Sequence, residues 1–139
     1  MVTDSVVRLE FRSHFDMLDF VQVVSDEMGR LVGLDSDSTH WVSVAVRESV
    51  INAIKHGNGH DVSKQVQVVC RIAPNRVRIE ITDEGEGFCL EEVPDPTDNE
   101  NLEVPSGRGL MLMRCFMSLV EFNDVGNCVV LEKLRAEID

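Results

Sequence analysis

The chain has 139 residues, 43% hydrophobic and 27% charged, a balance that suits one globular domain with a real core and argues against a disordered or fibrous protein. Its formal net charge of -12 sets it against polyanions, so nucleic acid and anionic membrane are poor partners. A basic protein surface is the complementary choice, although the same charge also serves plain solubility.

Cys70, Cys89, Cys115 and Cys128 are widely spaced, without a C-x-x-C pair or a His at finger spacing, which argues against zinc. No secretory pattern opens the chain, and no apolar run approaches the ~20 residues that span a bilayer. A cytoplasmic protein with reduced thiols is the expectation, and residues 1–139 are read as a single domain.

In chain order, Val6 to Phe11 alternates apolar and polar residues and predicts a strand. Met17, Phe20, Val21, Val24, Met28, Leu31 and Val32 recur at helical steps, predicting an amphipathic helix that stops at Gly33. Asp35 to Ser38 offers N-caps for a second helix from about Ser38 to His56. That helix has two faces. Val42, Val46, Val50, Ala53 and Ile54 suit packing on a sheet, whereas Val44, Glu48, Ile51, Asn52 and Lys55 mix polar with apolar groups, as a pocket wall does. After the turn-rich Gly57 to Asp61, Gln65 to Ile72 and Arg76 to Asp83 read as an antiparallel hairpin joined at Pro74-Asn75.

Residues 89–105 are acidic, carry Pro94, Pro96 and Pro105, and lie between two motif-bearing segments, which makes them a candidate lid. A third helix is expected from Gly107 to about Met117. A closing hairpin is expected from Leu119 to Phe122 and Cys128 to Leu134. The sum is an α+β two-layer sandwich, with a mixed, mostly antiparallel sheet covered on one face by three helices.

Three segments carry chemistry. Glu48 and Asn52 stand four apart, on one face of the second helix. An Asn oxygen can ligate magnesium, a hard cation that takes oxygen donors and keeps several waters. Glu48 beside it can act as a general base, and Lys55, a turn on, can reach a phosphate. Alone, this segment fits a solvated helix surface at least as well. Asp83 ends a strand and is followed by Gly85 and Gly87; its carboxylate can accept from an exocyclic amine while the glycines admit a planar base. D-x-G-x-G also occurs in ordinary turns and calcium loops, but the oxygens and late Glu of a calcium loop are missing. Ser106-Gly107-Arg108-Gly109 precedes the third helix, where free N–H groups and a guanidinium can hold phosphate. Neither a P-loop nor protein-kinase signatures occur.

In this order the segments resemble the N, G1 and G2 boxes of the Bergerat-fold (GHKL, histidine-kinase-like) ATPases. Glu48-x-x-x-Asn52-Ala53-x-x-His56-Gly57 and Ser106-Gly-Arg-Gly-Leu-Met-Leu-Met113 narrow the resemblance to anti-sigma-factor serine/threonine kinases of the RsbW and SpoIIAB type. It implies Glu48 as catalytic base, Asn52 as magnesium ligand, and Asp83 with Gly85 and Gly87 at the adenine. It also implies residues 89–105 as ATP lid, and Gly107, Arg108 and Gly109 on the phosphates. The implied cofactors are ATP and Mg2+. The implied partners are a sigma factor, a STAS-domain anti-anti-sigma protein that is phosphorylated, and a second copy of the chain. One departure stands out. The family's Gly-Thr-Thr-like support for the adenine carboxylate is replaced by Gly126-Asn127-Cys128-Val129, and a thiol is a weaker donor than a hydroxyl. The alternative reading is a nucleotide-responsive module that sequesters a regulator without efficient phosphoryl transfer.

Overall fold

The computed structural model describes residues 3–85, 113–123 and 127–136. The expected lid at 89–105, Gly87, Gly107, Arg108 and Gly109 lie outside the described residues.

Strands β1 (Ser5–Arg12), β2 (Gln65–Ala73), β3 (Arg76–Asp83), β4 (Leu119–Phe122) and β5 (Cys128–Leu134) form one sheet in the order β1-β2-β3-β5-β4. All four pairings are antiparallel. Helices α1 (Leu18–Val32) and α2 (Ser36–Asn52) pack on each other and on the sheet, and residues 113–116 are helical as well. The strand expectations therefore hold nearly to the residue.

Alternation decides which side of the sheet is covered. Val77, Ile79 and Ile81 of β3 are buried, as are Val129 and Leu131 of β5. The intervening positions carry ion pairs across the opposite face, among them Arg76 with Glu132 at 2.8 Å and Arg71 with Glu80 at 3.8 Å. On α2, Val42, Val46, Val50, Ala53 and Ile54 are all buried, the stripe that the sequence assigns to the sheet. The other face reads as expected too: Val44, Glu48, Ile51 and Lys55 are half-buried while Asn52 is buried.

Helix α1 is rotated from its expected stripe. Phe20 and Leu31 are 53% and 41% exposed, whereas Leu18, Ser25 and Gly29 face inward with Val21, Met28 and Val32. Gly29 explains the rotation. A Cβ there would stand 2.5 Å from Thr39 Oγ1, so the two helices approach at the glycine and carry Phe20 and Leu31 outward. The helix ends as its sequence directs, with Gly33 at φ 81° and the Leu34 N–H donating to the Gly29 carbonyl at 2.9 Å.

Helix α2 begins two residues before the expected start, with Asp35 as N-cap accepting the Ser38 N–H at 2.7 Å. It changes character at its far end. Ala53–Gly57 is π-helical, with the Asn58 N–H donating to the Ala53 carbonyl at 2.7 Å. Widened turns of this kind cluster at functional sites. Here the turn carries Gly57 onto the end of β3.

Candidate nucleotide site

Asp83 is the last inward position of the β3 row that begins Val77, Ile79, Ile81, so strand alternation itself delivers a carboxylate to the covered face. It is 6% exposed. Its N–H donates to the Asn127 carbonyl at 2.9 Å, and its Oδ1 accepts the Gly85 N–H at 2.8 Å. Burial raises its pKa, while the Gly85 bond and the Lys64 charge oppose that shift.

Two glycines make this placement possible. A Cβ on Gly57 would lie 2.1 Å from Asp83 Oδ2, and one on Gly85 would lie 1.7 Å from the Gly57 carbonyl oxygen. The turn after β3 therefore rests directly on the backbone of the π-helical turn. Gly85→Ala is expected to push that turn off Gly57 and weaken ATP binding while the helix–sheet core stays folded. Calorimetric titration beside a melting curve checks it; unchanged affinity would show that the close approach is irrelevant to the site.

Asn52 faces the same place from α2. It is 3% exposed, and neither its Oδ1 nor its Nδ2 has a hydrogen-bond partner among the described residues. Leaving such an amide unmet costs roughly 1–3 kcal/mol, so an orphan of this kind calls for an explanation. A cavity supplies one. Asn52, Asp83, Ile81, Phe122, Asn127 and Cys128 all line it. Its lining mixes polar side chains with apolar ones.

Glu48 lies one turn before Asn52 and does not line that cavity, nor does Lys55. Glu48 is half-buried, and its Oε2 is buried without a hydrogen-bond partner among the described residues. Burial raises its pKa, with Arg47 and Lys55 as the opposing charges. The structure thus brings Asn52, Asp83 and Gly85 together and stations Glu48 and Lys55 on the adjoining turns of the same helix. Beyond it, Met113 of the helical residues 113–116 receives a bond from Ser49 Oγ to its sulfur at 3.4 Å. Residue 113 is thereby tied to α2 three residues before Asn52.

The charge on Glu48 has a consequence for stability. Because its folded pKa is raised, the folded state holds a proton to higher pH than the unfolded chain, whose value is near 4.5. Stability falls as pH rises from 4.5 through that raised value, and the penalty persists above it. Glu48→Gln should therefore melt higher than the parent near pH ~7, with the gap closing toward the unfolded pKa. A series of melting curves across that range checks the sign; a gap that widens on acidification would reverse the assignment.

Asn127, in the stretch that replaces the Gly-Thr-Thr-like support, makes no side-chain bond to Asp83 among the described residues. Its Oδ1 instead accepts from Asn123 Nδ2 at 2.7 Å, and only its carbonyl serves Asp83. That carbonyl holds the Asp83 backbone, as any residue's would, but as an acceptor it makes no bond to the carboxylate, whose donor among the described residues is the Gly85 N–H. Cys128 lines the cavity, whereas Cys70 is buried, with burial pushing its thiol up to about 11. Phe122 of the cavity, and Asn58 next to Gly57, carry no signal in motif or spacing. Only the closed sheet places them.

A metal or nucleotide fits this donor set on two counts: the amide of Asn52 and, one helical turn away, the Oε2 of Glu48 are buried polar atoms without a hydrogen-bond partner among the described residues. Among the described residues no three His, Cys, Asp or Glu side chains form a metal cage, and no helix is long and apolar enough to cross a membrane.

Comparison with known proteins points the same way. Residues 16–133 match the histidine kinase-like ATPase domain family. The chain is 32% identical to an anti-sigma F factor of Clostridium perfringens over 136 residues, covering 94% of this chain and 96% of the relative. It is 29% identical to the serine-protein kinase RsbW of Oceanobacillus iheyensis, covering 76% of this chain and 72% of that one. In fold it resembles the crystal structure of the RsbU and RsbW domains of a Mycobacterium tuberculosis protein. The TM-score is 0.63 at 16% identity, and the match covers 94% of this chain and 31% of that one.

Proposed function

Because this chain belongs to the histidine kinase-like ATPase family, in the RsbW and SpoIIAB branch of anti-sigma-factor serine kinases, we propose that it is an ATP-dependent anti-sigma regulator. It sequesters a sigma factor and phosphorylates a serine or threonine of a STAS-domain anti-anti-sigma protein. The observation that carries this reading is the buried amide of Asn52, without a hydrogen-bond partner among the described residues, in one cavity with the carboxylate of Asp83.

Asp83 accepts a hydrogen bond from the exocyclic amine of adenine, and Ile81 and Phe122 supply apolar walls for the base. Asn52 Oδ1 would be the protein's oxygen for magnesium, a hard cation that takes oxygen donors. Bound magnesium neutralises phosphate charge, the main chemical demand of phosphoryl transfer. Lys55 meets a phosphate from the next turn. Gly107, Arg108 and Gly109, outside the described residues, complete the phosphate end on sequence grounds. Glu48 takes the proton from the attacking hydroxyl. The desolvation that raises its pKa makes its carboxylate a stronger base than an exposed one. The homodimer typical of this branch belongs to the reading as well, and sedimentation analysis tests it.

The test is transfer of labelled γ-phosphate from Mg-ATP to a purified STAS-domain anti-anti-sigma protein. Phosphoserine or phosphothreonine on that protein is the expected result. ATP binding without transfer would move the chain to the alternative, a nucleotide-responsive sequestering module.

A further inference from the structure

Two asparagines near the cavity are equally buried, at 3% exposure, and differ completely in what they bond. Asn52 has no partner among the described residues. Asn58, six residues later, has its side chain bonded on every side. Its Nδ2 donates to Ser13 Oγ at 2.9 Å and to the Gln65 carbonyl at 3.0 Å. Its Oδ1 accepts the Glu84 N–H at 2.8 Å. These partners fix the amide's orientation, because only the oxygen can face an N–H and only the nitrogen a carbonyl.

The partners come from three separate parts of the chain. Ser13 follows β1 and donates onward to the Lys64 carbonyl at 2.9 Å. Gln65 opens β2, and its N–H returns to Glu84 Oε2 at 2.5 Å. Glu84 is the residue directly after Asp83, and the next N–H, that of Gly85, is the one that holds Asp83 Oδ1. The peptide after Asp83 is thus anchored by Asn58, as the peptide before it is anchored by Asn127. A carboxylate can discriminate among bases only if it cannot swing to meet whichever group is offered.

We propose that Asn58 is the positioning residue for base selectivity: it locks the turn after β3 onto the ends of β1 and β2 and so fixes the direction in which Asp83 presents its carboxylate. This rests on the reading of Asp83 as the adenine-binding group. Asn58 touches no nucleotide. Its effect belongs to the base end of the site, and the phosphate end should not register its loss.

The experiment compares Mg-ATP, Mg-GTP and Mg-tripolyphosphate binding by calorimetry in the parent chain, Asn58→Ala, Asn58→Asp and Asp83→Ala. Asn58→Ala should lose affinity for Mg-ATP by about tenfold, narrow the preference for ATP over GTP, and leave tripolyphosphate affinity unchanged. Asn58→Asp keeps an acceptor for the Glu84 N–H and should retain the preference even if it melts lower. Should Asn58→Ala not fold, Asn58→Ser, too short to bridge both sides, takes its place with the same expectation. If Asp83→Ala narrows the preference while the Asn58 variant keeps it, the positioning role is overturned and the base reading stands. If Asp83→Ala itself leaves the preference intact, the base reading falls, and the positioning role with it. An equal loss for all three ligands in Asn58→Ala would reduce Asn58 to a general fold support.

Discussion

Glu48→Ala should bind Mg-ATP as the parent does and transfer its phosphate about 10²–10⁴ times more slowly, the range for removing a positioned proton acceptor. The reasoning is geometric. Glu48 stands one helical turn from Asn52 and outside the cavity that Asn52 and Asp83 line. On the proposed reading it takes no part in holding the base, and its Oε2, without a partner among the described residues, is left for a hydroxyl proton. A substitution that lowers turnover without changing affinity has removed an interaction made only in the transition state. Quenched-flow measurement of phosphorylated STAS protein, beside a nucleotide titration, separates the two quantities. Transfer at the parental rate would remove Glu48 from the mechanism.

Asn52→Leu should abolish the stabilisation that Mg-ATP confers and leave the unliganded protein as stable as the parent, or more so. Opposite signs on the two quantities make this a demanding expectation. The amide of Asn52 is buried with both polar atoms unpartnered among the described residues, so the fold bears its desolvation without a compensating bond. An apolar side chain of similar size relieves that cost. Function is then the reason for the amide, since packing alone would favour leucine. In the parent, ligand at about 100 times its Kd should add about 2.7 kcal/mol of stability. Melting curves with and without Mg-ATP read both effects. A variant that is destabilised but still stabilised by Mg-ATP would make Asn52 an ordinary core residue.

Where the sequence was legible, one period governed one element. The alternation in β3 and β5 and the stripe of Val42, Val46 and Val50 translate directly into burial, because each answers to a single packing surface. Helix α1 answers to two, the sheet and α2. The requirement for glycine at position 29 against Thr39 turned its stripe away from Phe20 and Leu31. The site divides similarly. Glu48, Asn52, Asp83 and Gly85 lie in motifs whose spacing is set by helix and strand geometry, so their placement on one helix face and at one strand end could be read in advance. Asn58, Ser13 and Phe122 enter only through closure of the sheet, which brings residues 13, 58, 65 and 84 into one hydrogen-bonded group. The bond from the Asp83 N–H to Asn127 goes to a main-chain carbonyl, which side-chain identity does not reveal.

If Asn52 and Asp83 are two walls of one nucleotide pocket, calorimetric titration of the chain with ATP, with and without magnesium and beside Asn52→Leu and Asp83→Ala, will register both. The expected result is one binding event per chain in the parent, strengthened by magnesium, with Asp83→Ala weakening ATP in either condition and Asn52→Leu abolishing measurable Mg-ATP binding. Absence of binding in the parent, or binding that neither substitution alters, would contradict it.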